Sequence, residues 1–350
     1  MKKNVLFGMM ALAMGAMTAC SVEEVVDQAE TNYIGFDAFA NKVSRTRPTD
    51  FPHNNFSVWG AYNNAQTEVF KNTEVTYQST DQSWSYGTPK PWVANQTYHF
   101  AAVAPYNANY TNAYDYTSKK YTLGEITIDN TTTAQIDYMT ATVQESVSSG
   151  TNSVQFTFNH IVSKIDFIFK ARTTGDNPWK SPVRIEIKKI ELKDVPTKNT
   201  YTSDAWGNLD TPTTNKATFT EGDGSAAVAT TTYDAAASNP KTTPSNKVAD
   251  WLVVPQGTTA DEIAKTLTIT CDVYDAVSNG TKVKENATAS VEIKTKWEAN
   301  HYYTYTVSIG TDILGPNPYI IFDVKDVTNW DTTSTASNLD VTAPSTQQGN

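Results

Sequence analysis

The first group in this chain with chemistry to offer is a thiol at the end of a short apolar run. Residues 1–20 read MKKNVLFGMMALAMGAMTAC, in which Lys2 and Lys3 give a positive start and residues 5–17 carry no charge. Thr18 and Ala19 then stand as small side chains before Cys20. This order is that of an export signal ending at a cysteine whose Sγ can take a diacylglyceryl group, so Cys20 is predicted to be the first, fatty-acylated residue of the mature chain. The apolar stretch is shorter than the about 20 residues that a membrane-crossing helix needs, which argues against a retained span.

Other reactive types are sparse. Cys271 lies in an alternating apolar run and reads as a buried strand thiol, and with no further unmodified cysteine there is no disulfide framework. The four histidines, His53, His99, His160 and His301, are dispersed, and no GxSxG, HExxH or CxxC string accompanies them. His160 and His301 read as structural. Acidic residues show no calcium-loop spacing. Residues 222–227, Gly-Asp-Gly-Ser-Ala-Ala, match GxGxxA in letters only, because no helix-forming segment follows, and they read as a turn. The expectation is therefore a non-enzyme with no catalytic residues, no metal site and no cofactor. Trp84, Trp92, Tyr110, Tyr114 and Tyr116 sit among polar neighbours and are candidate contacts for a glycan or a protein partner.

The elements that must carry these residues are strands. Outside the signal the chain is rich in Thr, Asn, Tyr and Val, with hardly a segment of helical period, so the fold class expected is all-β. Strands are predicted near residues 33–40, 56–60, 99–104, 155–159, 164–169 and 184–192, then 251–254, 267–274, 289–295, 302–309 and 319–324. Ile185, Ile187 and Ile190 share one face only if the strand bulges or twists between them. Residues 203–247 read as a long surface excursion with a short strand near 217–220, and only residues 260–264 suggest a helical turn. Residues 145–153, ESVSSGTNS, are small and polar, and they set the expected boundary between two sandwich domains. The division is then a signal at 1–19, a lipidated tether at 20–31, one domain at 32–150 and another at 151–350 with a polar tail.

Charge narrows the partners. The sequence holds 27 basic and 37 acidic residues, and loss of Lys2 and Lys3 with the signal leaves about −12 on the mature chain. Nucleic acid and anionic lipid both require a basic footprint that is missing, so membrane attachment falls to the lipid alone.

Several strings together resemble the fimbrillin family of type V pilus subunits, in particular its Mfa-like, fimbrillin-like lipoproteins. They are Phe158-Asn159-His160-Ile161-Val162-Ser163-Lys164-Ile165, then Trp251-Leu252-Val253-Val254-Pro255-Gln256, then residues 297–305 followed by Phe322 to Val327 and Trp330. The first twenty residues likewise resemble the lipobox of bacterial lipoproteins, and Glu23 and Glu24 resemble a signal for the outer face of the outer membrane.

The resemblance implies two tandem transthyretin-like antiparallel β-sandwich domains, a lipid-anchored and surface-exposed place on the cell outer membrane, and a part in a fimbrium that serves adhesion. It implies arginine-specific cleavage at Arg45 or Arg47, and Pro48 disfavours the second. The strand lost would contain Tyr33, Ile34, Phe36 and Phe39, and the replacing strand would come from near the C terminus, at Ile320, Phe322 and Val324 or at Leu339 and Val341. Partners would be other fimbrial subunits, in a homo- or hetero-polymer, and a host or glycan ligand. The alternative is a surface-exposed glycan-binding outer-membrane lipoprotein.

Overall fold

The computed structural model describes residues 32–40, 51–110, 112–147, 153–171, 183–207, 215–234, 241–257, 263–275, 280–309 and 320–329. Among them the chain is all-β, as expected, with a single 3-10 turn at Thr132–Ala134 and no α-helix. The first strands are β1 (Phe36–Ala40), β2 (Asn55–Tyr62), β3 (Thr67–Gln78), β4 (Ser83–Ser85) and β5 (Gln96–Ala104). They are followed by β6 (Tyr114–Asp115), β7 (Lys120–Thr127), β8 (Met139–Val147), β9 (Val154–His160) and β10 (Ser163–Ala171). Next come β11 (Val183–Pro196), β12 (Lys198–Thr202), β13 (Ala205–Trp206), β14 (Lys216–Glu221), β15 (Ala229–Thr230), β16 (Thr232–Asp234) and β17 (Lys241–Thr243). The last are β18 (Val248–Val253), β19 (Ile263–Asp275), β20 (Lys282–Thr295), β21 (His301–Ile309) and β22 (Ile320–Asn329).

One seven-stranded sheet runs β1-β9-β8-β5-β2-β3-β4. Its middle strand β5 and the neighbouring β2 are apolar on both sides, as residues 98–104, YHFAAVA, require when neither face meets water. Phe56, Val58, Phe100 and Ala102 point into one cluster, which also takes Ile34, Phe36 and Ala38. Trp59, Ala101 and Val103 point the other way, into a second cluster shared with Tyr110, Tyr114, Tyr121 and Leu123. Gly60 is required where β2 passes the aromatic floor: a Cβ there would lie 2.7 Å from Phe100 and 2.9 Å from Phe70. β9 pairs within this sheet, although it follows the polar segment at 145–153.

The later strands form a four-stranded sheet, β18-β10-β21-β22, and a sheet β14-β11-β19-β20 with β15 on the side of β11. Ile185, Ile187 and Ile190 are each fully buried, and the register of β11 on β19 shifts between Ile187 and Lys189. That is the bulge their spacing demands. Phe167 of one sheet and Phe219 of the other both meet Trp251, with ring centroids 5.6 and 5.7 Å away. Trp297 closes the same core, its Nε1–H donating to the Tyr305 hydroxyl at 2.7 Å. Residues 203–247 are not a surface excursion throughout. β14 and β15 both pair with β11, and Phe219 and Thr231 are fully buried, because the Thr-rich composition that suggests a loop is equally that of an edge strand with one apolar anchor. The helical turn expected at 260–264 gives way to β19 at Ile263 and Ala264, and residues 258–262 lie outside the described residues.

Candidate functional site

The place where sequence expectation and geometry meet is β1, the terminal strand of the seven-stranded sheet. It lies parallel to β9 in the register Phe36↔Val154 through Ala40↔Phe158. Sequence alternation puts Ile34, Phe36 and Ala38 on one face, and they are 2%, 3% and 2% exposed. Phe36 is the centre of that face. Its ring is edge-on to Phe70, Tyr86 and Phe100 at 5.2, 5.5 and 5.9 Å and stacks on Phe156 at 5.8 Å, the arrangements in which aromatic quadrupoles attract. Phe39 faces the other way and is half-buried, and Asp37 beside it accepts a hydrogen bond from Ser153 Oγ at 2.8 Å.

A second set of hydrogen bonds closes over the opening of β1. The Ile34 N–H donates to the Lys90 carbonyl at 2.8 Å, and the Trp92 N–H donates to the Asn32 carbonyl at 2.9 Å. The Tyr86 hydroxyl donates to the Ile34 carbonyl at 2.6 Å and accepts from the Lys90 N–H at 3.2 Å. Tyr33 makes one bridge, to Pro91, and is 55% exposed, so it stands outside the strand proper. The four predicted residues therefore split: Ile34 and Phe36 fill the groove, whereas Tyr33 and Phe39 do not.

The chain re-enters the described structure at Phe51, whose ring is buried against Phe56, Trp84 and Phe158. His53 Nε2–H donates to the Asp137 carbonyl at 2.5 Å, and His160 Nδ1 lies 2.8 Å from the carboxylate of the same Asp137. Desolvation lowers the His53 pKa, the Asp137 carbonyl and charge oppose the shift, and His160 adds to it. Sequence reading missed this pairing, since the partners are 84 and 23 residues away. His301 Nδ1 lies 2.8 Å from the Ala299 carbonyl.

The candidates for other chemistry fall into packing roles. Cys271 is fully buried, and burial followed by the Asp272 charge pushes its thiol up to about 12. Tyr110 and Tyr114 are buried, and Trp84, Trp92 and Tyr116 are partly buried against the two clusters. Trp84 and Tyr114 lie in the short strands β4 and β6, and all five rings pack on the clusters, so none of them stands free as a stacking platform. Residues 222–227 turn as expected, with Gly222 and Gly224 at φ +79° and +91°. Among the described residues no three His, Cys, Asp or Glu side chains are gathered as metal ligands, and no helix is long and apolar enough to cross a membrane.

Of the C-terminal candidates, Ile320, Phe322 and Val324 lie in β22, opposite Ile309, Val307 and Tyr305 of β21 in an antiparallel ladder. Cys20, Arg45, Arg47, Leu339 and Val341 lie outside the described residues.

Comparison with known proteins supplies the family. No curated protein matches the chain. Among solved structures, a fimbrial protein from Bacteroides vulgatus is 17% identical, with a TM-score of 0.54 over 85% of this chain and 99% of that one. A proposed cell adhesion protein from Bacteroides ovatus is 15% identical, with a TM-score of 0.52 over 87% of this chain and 99% of that one. Both share the fold. The sequence pattern of the fimbrillin-like family matches residues 45–330, most of the chain, and the protein therefore belongs to the fimbrillin-like family of structural fimbrial proteins.

Proposed function

We propose that this fimbrial subunit assembles by strand exchange at the groove that β1 fills. The observation that carries the reading is the burial of Phe36 among four aromatic rings at the open end of a sheet. Removing residues 32–40 would unpair the edge of β9 and bare Phe70, Tyr86, Phe100 and Phe156 to water, and an extended strand from another subunit repairs both defects. Backbone pairing gives the affinity and the alternate side chains give the choice of partner.

Cleavage at Arg45 or Arg47 is what would make β1 exchangeable. It cuts the only covalent link between β1 and the body of the sheet, while Phe51 and His53, a few residues further on, stay anchored by their own contacts. Arg45 is the better site because Pro48 follows Arg47. Before the cut, the lipid on Cys20 holds the subunit at the outer membrane, and the released form enters a surface fimbrium that serves adhesion. We further read the chain as two tandem transthyretin-like units, with β9 belonging to the first sheet.

Terminal sequencing of cell-surface material tests the reading. The polymeric form is expected to begin after Arg45 or Arg47, and Arg45→Ala with Arg47→Ala is expected to leave monomers. A polymer whose chains all begin at Cys20 would overturn it.

A further inference from the structure

The aromatic floor beneath β1 runs one row further than β1 itself. Phe36 stacks on Phe156 of β9 with Phe70, Tyr86 and Phe100 around it, and β1 ends at Ala40, opposite Phe158 in the ladder. The next row is Phe56, Trp84 and Phe158, and a residue from outside β1 covers it. The Phe51 ring lies 6.2, 5.6 and 4.8 Å from those three and is 6% exposed. Phe36 and Phe51 belong to one cluster, yet they stand on opposite sides of Arg45 and Arg47 in the sequence. Resting on the strand-exchange reading above, we propose that Phe51 is a fixed stop at the far end of the groove. It stays behind when β1 leaves, and it sets the register and reach of the strand that another subunit inserts.

Phe51 is fastened to the body of the sheet and not to β1. Two residues on, His53 Nε2–H donates to the Asp137 carbonyl at 2.5 Å. The Asn54 carbonyl then accepts from the Tyr77 N–H of β3 at 2.8 Å, and the chain enters β2 at Asn55. A cut after Arg45 leaves residues 46–50 ahead of Phe51, a cut after Arg47 leaves residues 48–50, and neither touches these bonds. The ring is carried by β2 itself, so a side chain arriving from another molecule competes with a group held at high effective concentration.

The two ends of the groove therefore differ. At the Ile34 end the strand runs on into backbone pairing with Lys90 and Trp92, which an incoming chain can continue. At the Phe158 end the next inward seat is already taken. A strand parallel to β9 that slid forward by two residues would drive its leading inward side chain against Phe51, and one that slid by a single residue would turn its apolar set away from the core. The partner this fits is an extended segment with apolar side chains at alternate places, an aromatic one over Phe156, and a polar residue where the row ends. The chain's own first strand obeys the same rule, since the apolar places 34, 36, 38 and 40 are followed at the next alternate place by Lys42.

The test uses the mature chain in an Arg172→Lys background, so that an arginine-specific protease meets only Arg45, Arg47 and the Arg184 held within β11. The probes are two labelled peptides, one of the 32–40 sequence and one lengthened at its C-terminal end by Thr-Phe, which offers a ring at the next inward place. On the cut chain with Phe51 in place, the two should bind within about twofold of each other. On the cut Phe51→Ala chain, the lengthened peptide should bind about tenfold or more tightly than the 32–40 peptide, because its ring takes the vacated seat. Phe51→Leu keeps an apolar plug and should stay indifferent to length. A lengthened peptide that binds the unaltered chain about tenfold better, or a Phe51→Ala chain as indifferent to length as the unaltered one, overturns the stop while strand exchange stands. The first of these results is read on the unaltered chain and needs no variant to fold. If the N-terminal fragment does not leave after cutting, or the 32–40 peptide does not return to its place, the groove never opens and both readings fall.

Discussion

Phe36→Ala should loosen β1 from the sheet while the rest of the chain keeps its structure. The side chain is 3% exposed and meets four rings, and a buried phenylalanine cut back to alanine costs about 3–5 kcal/mol when its surroundings relax only in part. β1 is a terminal strand of five residues, so that loss falls first on its own opening rather than on global unfolding. At about 1.4 kcal/mol per tenfold, the low end of the range raises the open population by more than a hundredfold. Hydrogen exchange reads this directly at the Val154 amide, which donates to the Gly35 carbonyl at 2.8 Å and is released when β1 departs. Protection at Val154 should fall by about a hundredfold or more, with little change at Ile269 in β19. Phe39→Ala is the control, because Phe39 is half-buried on the opposite face, and it should cost under about 1 kcal/mol. Unchanged exchange at Val154, or equal damage from both variants, would refute the claim that Phe36 is what holds the strand in place.

Gly60→Ala should destabilise the folded chain by about 1–3 kcal/mol in urea titrations, because the new methyl meets the rings of Phe100 and Phe70 below 3 Å; a neutral result would mean the floor is looser than the structure has it. In the mature chain freed of its lipid cysteine, Cys271 should resist a thiol reagent at pH 8 and react only as fast as the chain unfolds, so rapid native labelling would contradict its burial. Acid should weaken the fold through His53. Its folded pKa lies below 6.5, so the unfolded chain binds the proton first, and the stability present above 6.5 is lost as pH falls from there toward the folded value. His53→Gln should flatten that part of the stability-against-pH curve, and an unaltered curve would remove His53 from the account.

Much of the second half of the fold is legible in the letters. Residues 164–169, 267–274 and 302–309 alternate, as do 184–192 on either side of one break, and each falls inside an observed strand, because one face of each looks into a core. Even the irregular spacing of Ile185, Ile187 and Ile190 announces its bulge. The long strand β3, TEVFKNTEVTYQ, escapes notice because its charged positions outnumber the buried Phe70 and Val75. What no local pattern gives is partnership. β1 and β9 both read as strands, yet nothing within either says that they pair, since the register joins Phe36 to Val154 across most of the first sheet. The same holds for Trp84 and Trp92, whose polar neighbours suggest a solvated loop until the returning chain lays them against Phe56 and Phe100. The proposed cleavage and lipidation sites, by contrast, rest on short strings alone and lie outside the described residues.

The parallel pairing of β1 with β9 has a mechanical side. Tension applied at Asn32 and at His160 pulls the two strands by opposite ends, which loads their cross-links together in shear instead of peeling them one after another. A strand that takes over the same seat in the same direction inherits that geometry, so a filament of such joints resists stretching with whole ladders at a time, whereas a strand seated the other way round would unzip from one end.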